Sequence, residues 1–140
     1  MNLQNQCITL DQARKLKELG ICQQSYISWF QIGQKQLLRP SVKLNDEGQA
    51  EFTFSQPIAS AFTSGELTSI LPTGIGTLRF SMWKGVGYFA RYASYDGSVR
   101  DRYEVQEDTA AEALCALLIE IIDDNLITVT EINLRICDLQ

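Results

Sequence analysis

The feature that most constrains the fold is the stretch 109–125, in which apolar side chains recur with the spacing of a helix. Five large residues follow the i, i+3, i+4, i+7, i+8 pattern of one helical face, and alanines and Cys115 fill most of the other positions. A helix that is apolar on nearly every side is normally buried. Its length and two glutamates argue against a membrane span, so we predict a central buried helix. The five residues are Leu114, Leu117, Leu118, Ile121 and Ile122.

Composition predicts one globular domain over residues 1–140. The chain is 45% apolar and carries a net charge of −5, which disfavours non-specific binding to nucleic acid or to anionic membranes. The first six residues contain no basic residue and no apolar run, so we expect no signal peptide and a cytoplasmic location. The polar segment 33–60 is open to two interpretations, a hairpin around Asn45-Asp46-Glu47-Gly48 or a mobile loop.

Four helix starts share one signal, a threonine followed three residues later by Gln or Glu. This is the capping box, in which the two residues satisfy backbone N–H groups at the start of a helix. It predicts helices over about 10–19, after 63, after 109 and over about 129–138, with Gly20 and Pro72 ending the first two. The pairs are Thr9 with Gln12, Thr63 with Glu66, Thr109 with Glu112 and Thr128 with Glu131.

The remaining pattern has the period of β-strands. Residues 26–32 are rich in β-formers, and after Pro72 apolar and polar residues alternate over 78–82, 86–94 and 99–105. Turn signals at Lys84-Gly85 and at 95–98 separate the last three. We therefore predict an α+β fold: an antiparallel meander of three or more strands packed on the central buried helix, with additional short helices. One face of the meander should be solvated.

Catalytic and metal-binding signals are weak in this chain. It has no histidine, which excludes Ser/His/Asp and Cys/His catalysis. The four cysteines form no C-x-x-C pair, and Cys115 and Cys137 are predicted on apolar helical faces. We expect no metal and no cofactor. An enzyme that uses a carboxylate pair, such as Asp46-Glu47 or Asp123-Asp124, would need a deep pocket into which acidic side chains converge.

The best candidate binding region is the meander, where basic and aromatic residues are interleaved. Single-stranded nucleic acid is bound by this combination, with cations for phosphates and rings for base stacking. The alternative is that the rings are buried against the helix and the cations are solvated. The candidate residues are Arg79, Trp83, Tyr88, Arg91, Tyr92, Arg100 and Arg102.

The order of several motifs resembles a known family. L-K-E-L-G at 16–20, a strand with Trp29, A-F-T-x-x-E-L-x-x-x-L-P at 61–72, A-x-x-A-x-L-I at 113–119 and N-L-I at 125–127 are similar to short uncharacterised bacterial proteins. These are often encoded in prophage-like or mobile regions. The resemblance implies a small accessory protein and no known activity or site residue. The turn at 108–113 is also similar to the helix start of HicB-type antitoxins.

These observations together predict a protein-interaction or accessory protein that is not an enzyme. Its expected partner is another, unidentified protein, and the sequence gives no sign of a membrane partner. The alternative is weak binding of single-stranded nucleic acid through the basic and aromatic sheet face. Self-association is open, because an exposed sheet edge favours strand pairing.

Overall fold

Antiparallel sheets and four α-helices make up the part of the chain that the computed structural model describes, namely residues 3–41, 43–44, 50–51, 57–94 and 103–138. At 43–44 and 50–51 only the backbone is described. This α+β architecture confirms the predicted fold class. The helices are α1 (Leu10–Glu18), α2 (Ser64–Ile70), α3 (Ala110–Asp123) and α4 (Val129–Asp138).

The strands fall into three sheets over the described residues. The larger two have the orders β2-β1-β5 and β6-β7-β8-β9, and β3 and β4 form a separate pair. The strands are β1 (Ile27–Ile32), β2 (Lys35–Pro40), β3 (Lys43–Leu44), β4 (Ala50–Glu51), β5 (Ala59–Ser60), β6 (Gly74–Ile75), β7 (Leu78–Gly85), β8 (Gly87–Ser94) and β9 (Tyr103–Glu107).

Helix α3 is the buried helix that the apolar pattern predicts. It contacts β8, β9, α1 and α2, and all five residues of the predicted apolar face are buried. The Thr109 hydroxyl accepts a hydrogen bond from the backbone N–H of Glu112 at 3.2 Å. After the helix ends at Asp123, Asn125 adopts a φ of +60°, and the Leu126 N–H donates to the Ile121 carbonyl at 2.9 Å. That ending is a Schellman motif.

The other helix starts also follow the capping signals. The reciprocal pair of hydrogen bonds is formed at Thr9 with Gln12 and at Thr63 with Glu66. Helix α1 ends as predicted, because Gly20 has a φ of +93° and the Ile21 N–H donates to the Leu16 carbonyl at 3.0 Å. Capping depends on residues within one turn, which is why it can be predicted from sequence alone.

The four-stranded sheet contains the predicted meander, extended by β6. Strand β8 pairs with β7 and with β9 in unbroken antiparallel register. Its inner face, which includes Ala90 and Tyr92, packs in the core with α3. The outer face of the β7–β8 pair carries Trp83, Phe89 and Arg91, one position out of phase with the inner residues. The predicted third strand begins at 99, and residues 95–102 lie outside the described residues.

The polar segment 33–60 contains more strand than the sequence predicts. Strand β2 pairs with β1 over its whole length, from Ile27 with Pro40 to Ile32 with Lys35. The short β3–β4 pair, with Lys43 opposite Glu51, agrees with the hairpin interpretation, although residues 45–49 lie outside the described residues. A small second core of Cys7, Leu38 and Ala61 lies beside this sheet.

Candidate interaction surface

The tight β7–β8 turn sets which side chains are neighbours on the outer face. Gly85 pairs with Gly87, so Val86 alone forms the tip and is 88% exposed. Gly87 has a φ of +88°, and a Cβ there would lie 2.8 Å from the Glu107 carbonyl oxygen. Only glycine satisfies both conditions. The predicted turn at Lys84-Gly85 is therefore wrong in position, because the reversal occurs at Val86.

An aromatic pair forms across the strands next to this turn. Trp83 faces Phe89 in the register, and their rings stack with centroids 5.1 Å apart and planes 1° apart. The Phe89 ring lies over Gly85, where a Cβ would approach it to 3.1 Å. Trp83 remains 39% exposed. The pair is thus ordered by its own stacking and still presents an apolar surface to solvent.

Arg91 joins the aromatic pair as a cation. Its guanidinium carbon lies 5.0 Å from the centroid of a Trp83 ring, and its Nε donates to the Ser81 hydroxyl at 3.1 Å. Both contacts hold the charge on the outer face. Glu104 is the residue opposite Arg91 on β9. We call the set Trp83, Val86, Phe89 and Arg91 the β7–β8 corner.

Tyr92 does not belong to this surface, contrary to the sequence prediction. Its side chain is fully buried, its hydroxyl donates to the Pro72 carbonyl at 2.6 Å, and its ring contacts Phe80 with centroids 5.5 Å apart. Burial raises the pKa of this phenol, and the charge of Arg135 opposes that shift. Tyr88 lies on the same inner face, half-buried, with the Lys84 ammonium 5.7 Å from its ring centroid. Alternation along β8 separates both tyrosines from Arg91.

Arg79 lies on the outer face, but its guanidinium hydrogen-bonds to the β6–β7 turn. Its Nη1 donates to the carbonyls of Gly76 at 3.2 Å and Leu78 at 3.3 Å. The guanidinium fits against Gly74, where a Cβ would lie 2.6 Å from Nη1. Arg100 and Arg102 lie outside the described residues. Of the seven predicted site residues, the structure brings Trp83 and Arg91 together.

Phe89 and Val86 are members of the corner that sequence reasoning missed. A two-residue loop at Lys84-Gly85 would place Trp83 opposite Val86, whereas the observed register places it opposite Phe89. The glycines at 85 and 87 were the available signal, because a positive φ is the normal use of glycine in a tight turn. A correct turn position would have identified the ring pair.

Acidic side chains converge elsewhere, in a cleft between the N-terminal segment and the start of α3. Two adjoining cavities of about 370 and 490 Å³ share Asn5, Asp108 and Thr109 in their linings, and Glu112 lines the first. Burial, followed by the charges of Glu107 and Asp108, raises the pKa of Glu112, and a hydrogen bond with the Thr109 backbone opposes the shift.

Neither carboxylate pair singled out in the sequence is part of this cleft. Asp123 and Asp124 are exposed at the end of α3, and Asp46 and Glu47 lie outside the described residues. Within the described ranges, no three His, Cys, Asp or Glu side chains are grouped to hold a metal ion. The Glu112 carboxyl group in this cleft therefore keeps its proton to a higher pH than an ordinary glutamate. The described residues do not surround it with further metal ligands.

The cysteines divide between core and surface. Cys115 is fully buried, as its position on an apolar helical face predicts, whereas Cys137 is exposed. The prediction that Cys137 lies on an apolar face is therefore wrong, because α4 buries Ile132 and Ile136 and leaves 137 on its solvent side. Burial, with the charge of Glu66, raises the pKa of Cys7 to about 11. Burial also raises the pKa of Cys115.

None of the helices in the described ranges has the length and apolar character needed to cross a membrane. Comparison with known proteins yields no matching family model, no matching curated protein and no matching solved structure.

Proposed function

We propose that this chain is a non-enzymatic accessory protein that binds another protein through the β7–β8 corner. One observation carries the proposal. Two of the six exposed large apolar side chains among the described residues, Trp83 and Val86, lie at the β7–β8 turn beside Phe89 and Arg91. Isolated exposed apolar residues are ordinary, but a group of them next to a cation is typical of an interaction site.

The chemistry of the corner indicates what kind of surface it fits. The exposed Trp83 and the neighbouring Arg91 belong to the residue types that dominate binding energy at protein interfaces. The ring stack already orders Trp83, so less side-chain entropy would be lost on binding. Lys84 and Arg91 add positive charge at this end of a chain whose net charge is −5. The expected partner presents an apolar side chain beside a carboxylate.

The accessory role is supported by the motif resemblance as well. The order of motifs is similar to short bacterial proteins often encoded in prophage-like or mobile regions, which implies a small accessory protein. This part of the proposal depends on the resemblance, whereas the location of the binding surface depends on the described side chains.

The experiment compares affinity capture by four forms of the protein from lysate of its own cell, with quantification by mass spectrometry. We expect a partner that is retained by the parent protein and lost by Trp83→Ala and by Arg91→Glu. Leu134→Ala is the matched control, since Leu134 is also an exposed apolar residue, 61% exposed on α4. Binding of that partner should then be measured by calorimetry. Identical capture by Trp83→Ala and the parent would contradict the proposal.

Binding of single-stranded nucleic acid is the second candidate, favoured by the contact of Arg91 with the exposed Trp83 ring. Two features weigh against it. Arg79 already donates to carbonyls of its own turn, and Glu104 faces Arg91. Fluorescence anisotropy with a labelled oligonucleotide at low salt tests it. Binding that weakens with salt and is lost in Arg91→Ala would support this candidate, and an absence of binding would end it.

A further inference from the structure

Among the residues that the structure describes, strand β7 has an open edge beyond the short strand β6. Strand β6 pairs with β7 only at Leu78 and Arg79, and the Phe80 N–H donates to the Thr73 carbonyl at 3.0 Å. Backbone groups of alternate residues point to the same side of a strand. The N–H and C=O groups of Met82 and Lys84 therefore point to the β6 side. There, no strand of the described residues pairs with residues 81–85.

This edge lacks the usual protection against strand pairing. The β7–β8 register is continuous from Leu78 to Gly85, so no bulge twists the edge away, and β7 contains no proline. Lys84 is the one charged residue in 81–85. Its ammonium lies near the ring of Tyr88, the residue that faces it on β8, instead of lying across the edge. Natural edge strands usually carry at least one such protective feature.

We propose that two copies of this chain pair through this edge, antiparallel, with a two-fold axis at Trp83. In that register Met82 of each copy lies opposite Lys84 of the other, and each such pair exchanges both of its N–H···O bonds. The two Trp83 residues form the non-hydrogen-bonded pair at the axis, where side chains approach most closely. The result is an isologous dimer with a continuous sheet across the axis.

The edge is complementary to itself in length and in charge. Because β7 ends at the Val86 turn, the strand of the second copy stops beside Ser81. It therefore does not compete for Phe80, whose N–H is already bonded to Thr73. The single charge on the edge, Lys84, meets the neutral Met82, and Gly85 meets Ser81. These properties favour a second copy over a foreign strand, for which neither match is expected.

The pairing would also cover apolar surface that is now exposed. Met82 and Trp83 are each 39% exposed and would lie at the centre of the new contact. Two five-residue edges form a small interface, at or below the roughly 1,200 Å² at the low end of specific complexes. We therefore expect a dimer that dissociates on dilution. This inference stands apart from the proposed function, since it needs no partner protein and uses the backbone of the edge.

The test introduces a positive or a negative charge at Met82 in separate variants. The dissociation constant of the dimer is measured by sedimentation equilibrium over a wide concentration range. Met82→Lys places like charges opposite each other in both pairs and should raise the dissociation constant of the dimer roughly tenfold. Met82→Glu places a carboxylate opposite Lys84 and should lower that constant. The double variant Met82→Lys with Lys84→Glu should restore the dimer, which guards against a folding defect in the single variant. Leu134→Ala, on the exposed side of α4 and away from the edge, is the control.

Opposite shifts for the two Met82 variants support the pairing, because generic loss of apolar area would weaken the dimer in both. A parent protein that stays monomeric at every concentration, or Met82 variants that shift the constant in the same direction, would overturn the inference. A monomer that still binds its partner through Trp83 and Arg91 overturns only the self-pairing and leaves the proposed function standing.

Discussion

The two faces of the same two strands behave differently. On the inner face Ala90 and Tyr92 are fully buried over α3, whereas on the outer face Trp83 stays partly exposed beside Phe89 and Arg91. Both faces are rich in aromatic residues. Aromatic content therefore does not identify a binding surface in this sheet; the assignment of each residue to a face does.

The difference is also one of energy. An inner ring removes a large apolar area from water and satisfies its polar atom internally, as the hydroxyl of Tyr92 does with Pro72. An outer ring is stabilised mainly by its neighbours, as Trp83 is by Phe89. Stability should therefore depend on the inner face and interactions on the outer face.

The largest expected contrast is in thiol reactivity between the core beneath the inner face and the outside of the molecule. Cys115 is fully buried on α3 and Cys137 is exposed on α4. A disulfide reagent at pH 8 should modify Cys137 at least about a thousand times faster than Cys115. The reason is that Cys115 reacts only when the core opens, at a cost of several kcal/mol.

The Cys137→Ser variant and mass spectrometry of the modified peptides show which modification rate belongs to which cysteine. Addition of urea should bring all thiols to similar rates. Rapid modification of Cys115 in the folded protein would contradict the difference between the inner core and the surface, because it would mean that the core is open to the reagent.

A matched pair of truncations on β8 should separate the two faces by stability. We expect Tyr92→Ala to lower the free energy of unfolding by about 3–5 kcal/mol, because it leaves a large cavity over α3. Phe89→Ala, three residues earlier on the opposite face, should cost about 0.5–1.5 kcal/mol, the value of an aromatic pair. Urea unfolding followed by circular dichroism gives both values. Equal losses would show that the two faces do not differ in this way.

Removal of a single hydroxyl tests the polar part of the inner face. Tyr92→Phe leaves the buried Pro72 carbonyl without its donor and should cost about 1–3 kcal/mol. Tyr88→Phe is the control on the same face of the same strand. The Tyr88 hydroxyl has no hydrogen-bond partner in the part of the chain that the structure describes. We therefore expect Tyr88→Phe to leave the free energy of unfolding unchanged in the same assay. A neutral Tyr92→Phe would mean that solvent reaches Pro72.

The smallest effect concerns charge at the β9 end of the inner face. The pKa of Glu112 is raised by burial and by Glu107 and Asp108. The folded state therefore holds this proton more tightly than the unfolded chain, so the resulting stability is present at low pH and is lost as pH rises through the folded pKa. Glu112→Gln should be more stable than the parent at pH 7, by less than about 1 kcal/mol for this partly exposed group.

The gain from Glu112→Gln should disappear at pH 4, where the parent carboxyl is protonated as well. Thermal unfolding at the two pH values provides the measurement. A gain that is independent of pH would point to the helix start rather than to the ionisation of Glu112.

Much of the fold can be predicted from local sequence, and the candidate site only in part. Thr9, Thr63, Thr109 and Thr128 each start a helix where the pattern places it, because a cap involves neighbours within one turn. Strand β2 was missed because its polar residues become a strand only by pairing with β1. Tyr92 was assigned to the binding surface because composition was counted over both faces.

The sequence by itself determined the helix boundaries, the buried identity of α3 and the alternation that gives the sheet two faces, since all three depend on residues close together in the chain. Tertiary structure decided which side chains meet. Gly87 approaches the Glu107 carbonyl on a different strand, which sets the turn at Val86 and brings Phe89 opposite Trp83. Over the described residues it also left the edge of β7 open beyond β6, because strand pairing is a contact between distant parts of the chain that no local pattern encodes.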